Sequence, residues 1–196
     1  MTNELTFRII AVGLLVCMKL IRSRTQKISD STGNREAYKR NRIDSLLLYS
    51  MGILWSASVV VYGLAPQWIE WASLNLPAWL RWTGVGFGIA SLALLAWSDH
   101  HLGKNFSATL RVRDSHTLVE SGPYRRIRHP IYTSGTLFAI AMWLVTSNWV
   151  VGLCWSGVFI LYAQRIPREE AMMLEEFGES YRDYMSRTGR LMPKIR

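Results

Sequence analysis

Two polar stretches hold most of the side chains in this chain that could do chemistry. One runs His116-Thr117-Leu118-Val119-Glu-Ser-Gly-Pro-Tyr124-Arg-Arg-Ile-Arg128-His129-Pro130-Ile131-Tyr132, and the other is Arg165-Ile-Pro-Arg168-Glu169-Glu170. Together they offer imidazole, guanidinium, carboxylate and phenol groups, a set suited to hydrogen bonding and charge recognition. Other chemistries fail on spacing. Asp99-His100-His101 suggests a metal, but adjacent histidines at a helix end point in different directions and no second ligand pair stands at i+4. These residues read as an interfacial cap, and no metal is expected. Gly84-Val-Gly86-Phe-Gly88 resembles a nucleotide-binding loop, yet no strand precedes it and it lies in an apolar run. Gly84 and Gly88 fit close helix packing in lipid instead. Cys17 and Cys154 also lie in apolar runs without CxxC spacing, as buried thiols do. On pattern alone the two polar stretches also fit a basic juxtamembrane loop with a helix start, and an i,i+4 pair of Arg165 with Glu169.

The elements that position these stretches follow from segregation of charge and apolarity. The chain has 196 residues, 49% of them hydrophobic, and a net charge of +9. A large core and a basic surface compete for residues in a soluble domain of this size. Here the apolar residues come in long runs and the cations lie between them. A helix crossing a hydrocarbon layer of about 30 Å needs roughly 20 apolar residues. Residues 5–21 qualify if Arg8 and Lys19 snorkel from its ends. This run lacks the basic leader and cleavage site of a signal peptide, so it reads as a mature span. Residues 45–64 are uncharged and closed by Pro66, and residues 78–97 carry only Arg81. The last apolar stretch, 130–166, holds the turn-like pair Ser147-Asn148 at its middle and reads as a helical hairpin.

Counting cations tests that division. Residues 22–42 hold seven Lys or Arg, 104–128 hold six and 165–196 hold seven, whereas 66–77 and the Ser147-Asn148 turn hold none. The positive-inside rule therefore predicts an integral membrane protein of all-α class with five transmembrane helices, its N-terminus outside and its C-terminus cytoplasmic. Nucleic-acid binding is not expected, because the basic residues flank spans and form no stripe on a soluble fold. After Pro167, the spacing of Leu174, Phe177, Tyr181 and Tyr184 predicts a cytoplasmic amphipathic helix. Pro167 suits its start, Glu169 and Glu170 its first turn, and Gly178 a bend.

These elements resemble the isoprenylcysteine carboxyl methyltransferase family and its phospholipid methyltransferase relatives. The resemblance rests on Leu102-Gly103-Lys-Asn105-Phe106-Ser107, His116 to Val119, Gly122-Pro-Tyr124 and Arg128-His129-Pro130-Ile-Tyr132. It continues through Arg165, Glu169-Glu170, Phe177-Gly178, Tyr181, Tyr184 and Pro193. It implies methyl transfer from S-adenosylmethionine, leaving S-adenosylhomocysteine, to the carboxylate of a prenylated cysteine. By that resemblance His116, Thr117, Leu118, Val119, Tyr124, His129, Pro130, Ile131, Tyr132 and Glu169 line the cofactor pocket. Arg165 approaches the acceptor carboxylate, and Arg165 and Glu169 are the catalytic pair. Pro167, between those two, departs from the family pattern. Residues 1–98 then form three structural spans with a basic loop, and residues 99–196 the catalytic region, within one structural domain. The expected partners are a lipid-modified small molecule or protein C-terminus and the membrane lipids. Two other acceptors of the same architecture stay open: a phospholipid amine methylated from the same cofactor, and a sterol-type substrate reduced by NADPH. A non-catalytic scaffold is the remaining alternative.

Overall fold

The computed structural model describes residues 4–31, 42–102 and 118–194. The described residues are helical with no strand, in five α-helices: α1 Glu4–Ser31, α2 Arg42–Leu64, α3 Ala78–Leu102, α4 Pro130–Thr146 and α5 Trp149–Arg187. The most extensive packing is between α3 and α4; α4 also packs on α5, α1 against α2 and α3, and α2 on α5. Their shared core includes Phe7 and Leu14 of α1, Val59 of α2, Phe138 and Met142 of α4, and Trp155 of α5.

The helix ends follow from local residue choice. Pro130 takes the first position of α4, where its missing N–H costs no hydrogen bond. Ser147 ends α4 in the left-handed region at φ 49°, donating its N–H to Trp143 O. Asn148 then caps α5, its side-chain oxygen accepting from the N–H groups of Val150 and Val151 at 3.0 and 3.2 Å. Two residues thus make the hairpin turn that the sequence indicated. The 66–77 connection is pinned to this turn: Leu74 N–H donates to Ser147 O at 2.8 Å, and Asn148 Nδ2 donates to Ile69 O at 2.7 Å.

Small residues permit the tight packing of α3. A Cβ on Gly84 would stand 2.7 Å from the Leu144 Cβ of α4, and one on Gly88 would meet Leu14 of α1 at 2.7 Å. The packing role expected of these glycines is the one they have. The outer surface is apolar, with Leu5, Ile9, Ile53, Trp82, Ile89, Leu153 and Ile160 all exposed. Inside the bundle, by contrast, Ser91 donates from its hydroxyl to Ser134 O at 2.7 Å. An apolar exterior around a partly polar interior suits a lipid solvent.

Two helices among the described residues are long and apolar enough to cross a membrane, Ala78–Leu102 and Trp149–Arg187; Tyr49–Leu64 and Pro130–Thr146 are shorter apolar helices. The first helix does not meet that measure, because Glu4 opens α1 and Arg8, Lys19, Arg22 and Arg24 follow along it. The tail also differs from expectation. No new helix begins at Pro167, because α5 runs through it and breaks only at Gly178, whose φ of 51° and ψ of −122° leave the helical region. A proline removes one backbone hydrogen bond without ending a helix that tertiary contacts hold on both sides.

Arg81 is the clearest departure from simple snorkelling. It is 3% exposed. Its Nε and Nη2 donate to Val145 O, both at 3.0 Å, and Nη2 also donates to the Tyr62 hydroxyl at 2.9 Å. Both terminal nitrogens reach the Glu4 carboxylate, and the guanidinium lies 3.9 Å from the centre of the Phe7 ring. One cation thereby ties α1, α2, α3 and α4 together. Arg81→Ala strands these acceptors, and since Glu4 keeps about half its exposure the expected loss is about 2 kcal/mol. A lower melting temperature in detergent is the expected result.

Candidate active site

At the end of the bundle away from the hairpin turn, three segments meet: the 118–129 loop, the far part of α5 and the tail after it. The loop opens with a short 3-10 helix, Gly122–Arg125, and buries Tyr124. Backbone pairing joins loop to tail. Gly189 N–H donates to Arg126 O at 3.0 Å, Arg128 N–H to Gly189 O at 2.8 Å and His129 N–H to Arg190 O at 3.1 Å. Tyr184 donates from its hydroxyl to Tyr124 O at 2.7 Å, and Thr133 donates to Leu191 O at 2.7 Å. The tail therefore closes over the start of α4. Gly189 lets the tail fold tightly back on itself here, because a Cβ there would stand 1.7 Å from the Met192 carbonyl oxygen.

Charged groups converge just beneath. Glu170 is 4% exposed. It accepts from Arg128 Nε at 3.0 Å, from Arg190 Nε and Nη2 at 3.2 and 2.5 Å, and pairs with His129 Nε2 at 3.3 Å. Burial alone would raise its pKa, but hydrogen bonds from His129, Arg190 and Arg128 outweigh it and pull the value down to about 2. His129 shows the reverse balance. Burial would lower it, yet hydrogen bonds to Glu169 and Glu170 hold it above the ordinary histidine value of 6.5. Its Nδ1 lies 3.5 Å from Glu169 Oε2.

Glu169 faces the other way around the same helix. Its Oε1 accepts the Tyr132 hydroxyl and lies 3.5 Å from Arg165 Nη2. Tyr132 stacks on His129 with ring centres 5.5 Å apart and packs on Tyr162 at 4.4 Å. Burial raises the Tyr124 hydroxyl and keeps it neutral. The arrangement offers aromatic faces beside a carboxylate, suited to a cation, and a guanidinium suited to an anion.

The structure thus brings together Tyr124, His129, Tyr132, Arg165 and Glu169. Leu118 and Val119 lie half-buried at the start of the loop, and Pro130 and Ile131 form the first turn of α4. His116 and Thr117 lie outside the described residues. Arg190 and Tyr162 were not picked out from sequence, and Arg128 and Glu170 were quoted without roles. The only sequence signal for Glu170 was its place beside Glu169, since neighbouring helical positions face different partners. No group of His, Cys, Asp or Glu suited to hold a metal occurs among the described residues.

The long apolar helices and lipid-suited exterior define an integral membrane protein, and comparison with known proteins makes the class specific. The model of the isoprenylcysteine carboxyl methyltransferase (ICMT) family matches residues 84–175. The mouse protein-S-isoprenylcysteine O-methyltransferase is 30% identical over 166 residues, 80% of this chain and 58% of the mouse protein. Its Dictyostelium discoideum counterpart is 30% identical over 124 residues, 60% of this chain and 52% of that protein. The solved eukaryotic intramembrane Ras methyltransferase ICMT shares the fold, with a TM-score of 0.56 and 23% identity over 77% of this chain and 52% of that one. Over residues 84–175 the chain is similar to the isoprenylcysteine carboxyl methyltransferase family. It spans little more than half the length of the curated relatives it matches, 58% of the mouse protein.

Two outcomes follow from the geometry. Because the fold raises the pKa of His129, its stabilisation is complete below about 6.5 and is lost as pH rises through the folded-state value. Melting temperature should fall above that pH in the wild type and fall less in His129→Gln, as a pH series of thermal melts would record. Gly189→Val should separate tail from loop, so amides Arg128 and Gly189 lose hydrogen-exchange protection while α3 keeps its own.

Proposed function

We propose that this chain is a membrane methyltransferase that uses S-adenosylmethionine to methylate the carboxylate of a prenylated cysteine or a similar lipid-linked acceptor. The observation that carries this reading is the junction of loop and tail, which sets Tyr124, His129, Tyr132, Arg165 and Glu169 around one end of the bundle. The curated relatives bear the name protein-S-isoprenylcysteine O-methyltransferase. Five crossings, with every basic loop at the cytoplasmic end, agree with the alternation of charge along the chain. That topology meets a water-soluble donor from the cytosol and a lipidated acceptor from the bilayer at one boundary.

The donor, when bound, supplies an electrophilic methyl group on a sulfonium cation. The residues present fit it: the faces of Tyr132 and Tyr124 accommodate a cation, and Glu169 accepts from hydroxyl or amino groups. Leu118, Val119, His129, Pro130 and Ile131 complete the lining, as the family resemblance implies for them and for His116 and Thr117. Arg165 holds the acceptor carboxylate through paired N–H donors. A carboxylate is already ionised at neutral pH, so the chain needs to align its oxygen and exclude water, with no strong base. His129 bears on the choice of acceptor. An amine must lose a proton before attack, and the pairing of His129 with Glu169 and Glu170, which raises its pKa, disfavours the neutral form that could act as base. This favours a carboxylate over a phospholipid amine.

Arg165→Ala should cut methyl transfer about a hundredfold while leaving donor binding within a few-fold, the loss of one charge-assisted clamp. Glu169→Ala should weaken donor binding first. Labelled donor with farnesylcysteine and with phosphatidylethanolamine, plus calorimetry with S-adenosylhomocysteine, measures both. Unchanged binding and turnover in both variants would exclude these assignments, and labelling of the amine alone would exclude the carboxylate acceptor.

A further inference from the structure

Tyr162 of α5 brings to the site a group that the proposed chemistry has not used. Its ring packs on Tyr132 of α4, centres 4.4 Å apart, and against the bundle core. Its hydroxyl makes no hydrogen bond among the described residues. Other phenols in the bundle are engaged: Tyr132 donates to Glu169, Tyr184 donates to Tyr124 O, and Tyr62 accepts from Arg81. The Tyr162 side chain is only half-buried, and its oxygen is not sealed away. A phenylalanine would fill the same space, so packing alone does not call for the oxygen. A hydroxyl among apolar groups is costly without a partner, and inside a membrane such a group marks where a polar ligand comes.

The fold leaves room for this oxygen. Gly135 of α4 lies so close that a Cβ there would strike the hydroxyl and stand 3.0 Å from the ring carbon that bears it. Any side chain at 135 would displace the phenol. Gly135 follows Tyr132 by three positions on α4, while Tyr162, Arg165 and Glu169 recur at three and four positions on α5. Each set occupies one helical face. The two faces meet where Tyr132 touches Tyr162 and donates to Glu169. Arg22, Arg165 and Glu169 all act electrostatically on the Tyr162 hydroxyl. Tyr162 precedes Arg165 by about one turn, about 4.5 Å nearer the hairpin turn. It therefore lies on the side from which a lipid-linked acceptor enters, away from the loop and tail.

A carboxylate offers about four acceptor positions, more than one guanidinium fills. Arg165 is moreover already drawn toward Glu169 at 3.5 Å. A neutral phenol adds a donor without adding a charge that the bilayer would disfavour. We propose that the Tyr162 hydroxyl donates to the acceptor carboxylate alongside Arg165, the two side chains holding it from adjacent turns of α5. This rests on the methyltransferase reading and adds a specificity determinant to it: an acceptor is selected for an anionic oxygen at this depth. Gly135 is then a positioning residue, acting through Tyr162.

Tyr162→Phe removes the oxygen and keeps the ring. In the full chain, the KM for farnesylcysteine should rise about tenfold, the loss of one hydrogen bond to a charged group. Calorimetric affinity for S-adenosylhomocysteine and the melting temperature should not change. S-farnesylcysteamine, which lacks only the carboxylate, should inhibit wild type and variant equally. An unchanged KM, or an equal loss for both farnesyl compounds, overturns the assignment. So does a matching fall in S-adenosylhomocysteine affinity, which would put the hydroxyl at the cofactor. Gly135→Ala should raise the KM in the wild-type background and add little to Tyr162→Phe; full additivity overturns its positioning role. A wild type that neither binds S-adenosylhomocysteine nor methylates farnesylcysteine removes the methyltransferase reading itself, and this assignment with it.

Discussion

The Glu170 carboxylate is the point on which the polar end of this molecule depends. It collects Arg128 and His129 from the loop and Arg190 from the tail, two guanidinium groups and an imidazole from segments that share no helix. A buried carboxylate is unfavourable in isolation and stable only when its lone pairs are matched. Once matched, it holds the loop against the tail, and backbone pairing at Gly189 follows. His129 is thereby oriented toward Glu169, which in turn meets Tyr132 and Arg165. The site residues are ordered by a neighbour that need not touch the reactants.

The opposite end shows the same device with the sign reversed. There Arg81 is the buried charge, and Glu4, Tyr62 and the Val145 carbonyl are the partners gathered around it. In an apolar surrounding the gain from packing carbon on carbon is small, since lipid tails offer similar contacts. Polar anchors inside the bundle therefore fix helix order more sharply than the core does. With the 66–77 connection tied to the Ser147-Asn148 turn at one end and the loop tied to the tail at the other, α3, α4 and α5 are fastened at both ends.

Much of this was legible in the residues. Pro130, Ser147 and Asn148 act locally, so the start of α4 and the hairpin turn could be read from a few neighbours. Gly84 and Gly88 announced close packing by spacing alone, and Gly178 the break in α5. Arg165, Glu169, Tyr124 and Tyr132 were reached through family likeness. The misreadings have physical causes. Pro167 looked like a helix start because a local rule says so, yet contacts on either side carry α5 through it. Arg81 was noted only as the one charge in its span, because its partners Glu4 and Val145 lie 77 and 64 residues away. Arg190 and Glu170 are 20 residues apart across the Gly178 break, and no periodicity links them.

The run of α5 from Trp149 to Arg165 also sets a depth. Arg165 follows Trp149 by 16 residues on one helix, a rise of about 24 Å. A hydrocarbon layer is about 30 Å thick. On the membrane-spanning reading, with Trp149 at the far interface, the Arg165 guanidinium lies a few ångströms below the near headgroups. At that depth Arg165 is within reach of a group whose hydrocarbon chain stays dissolved in the bilayer.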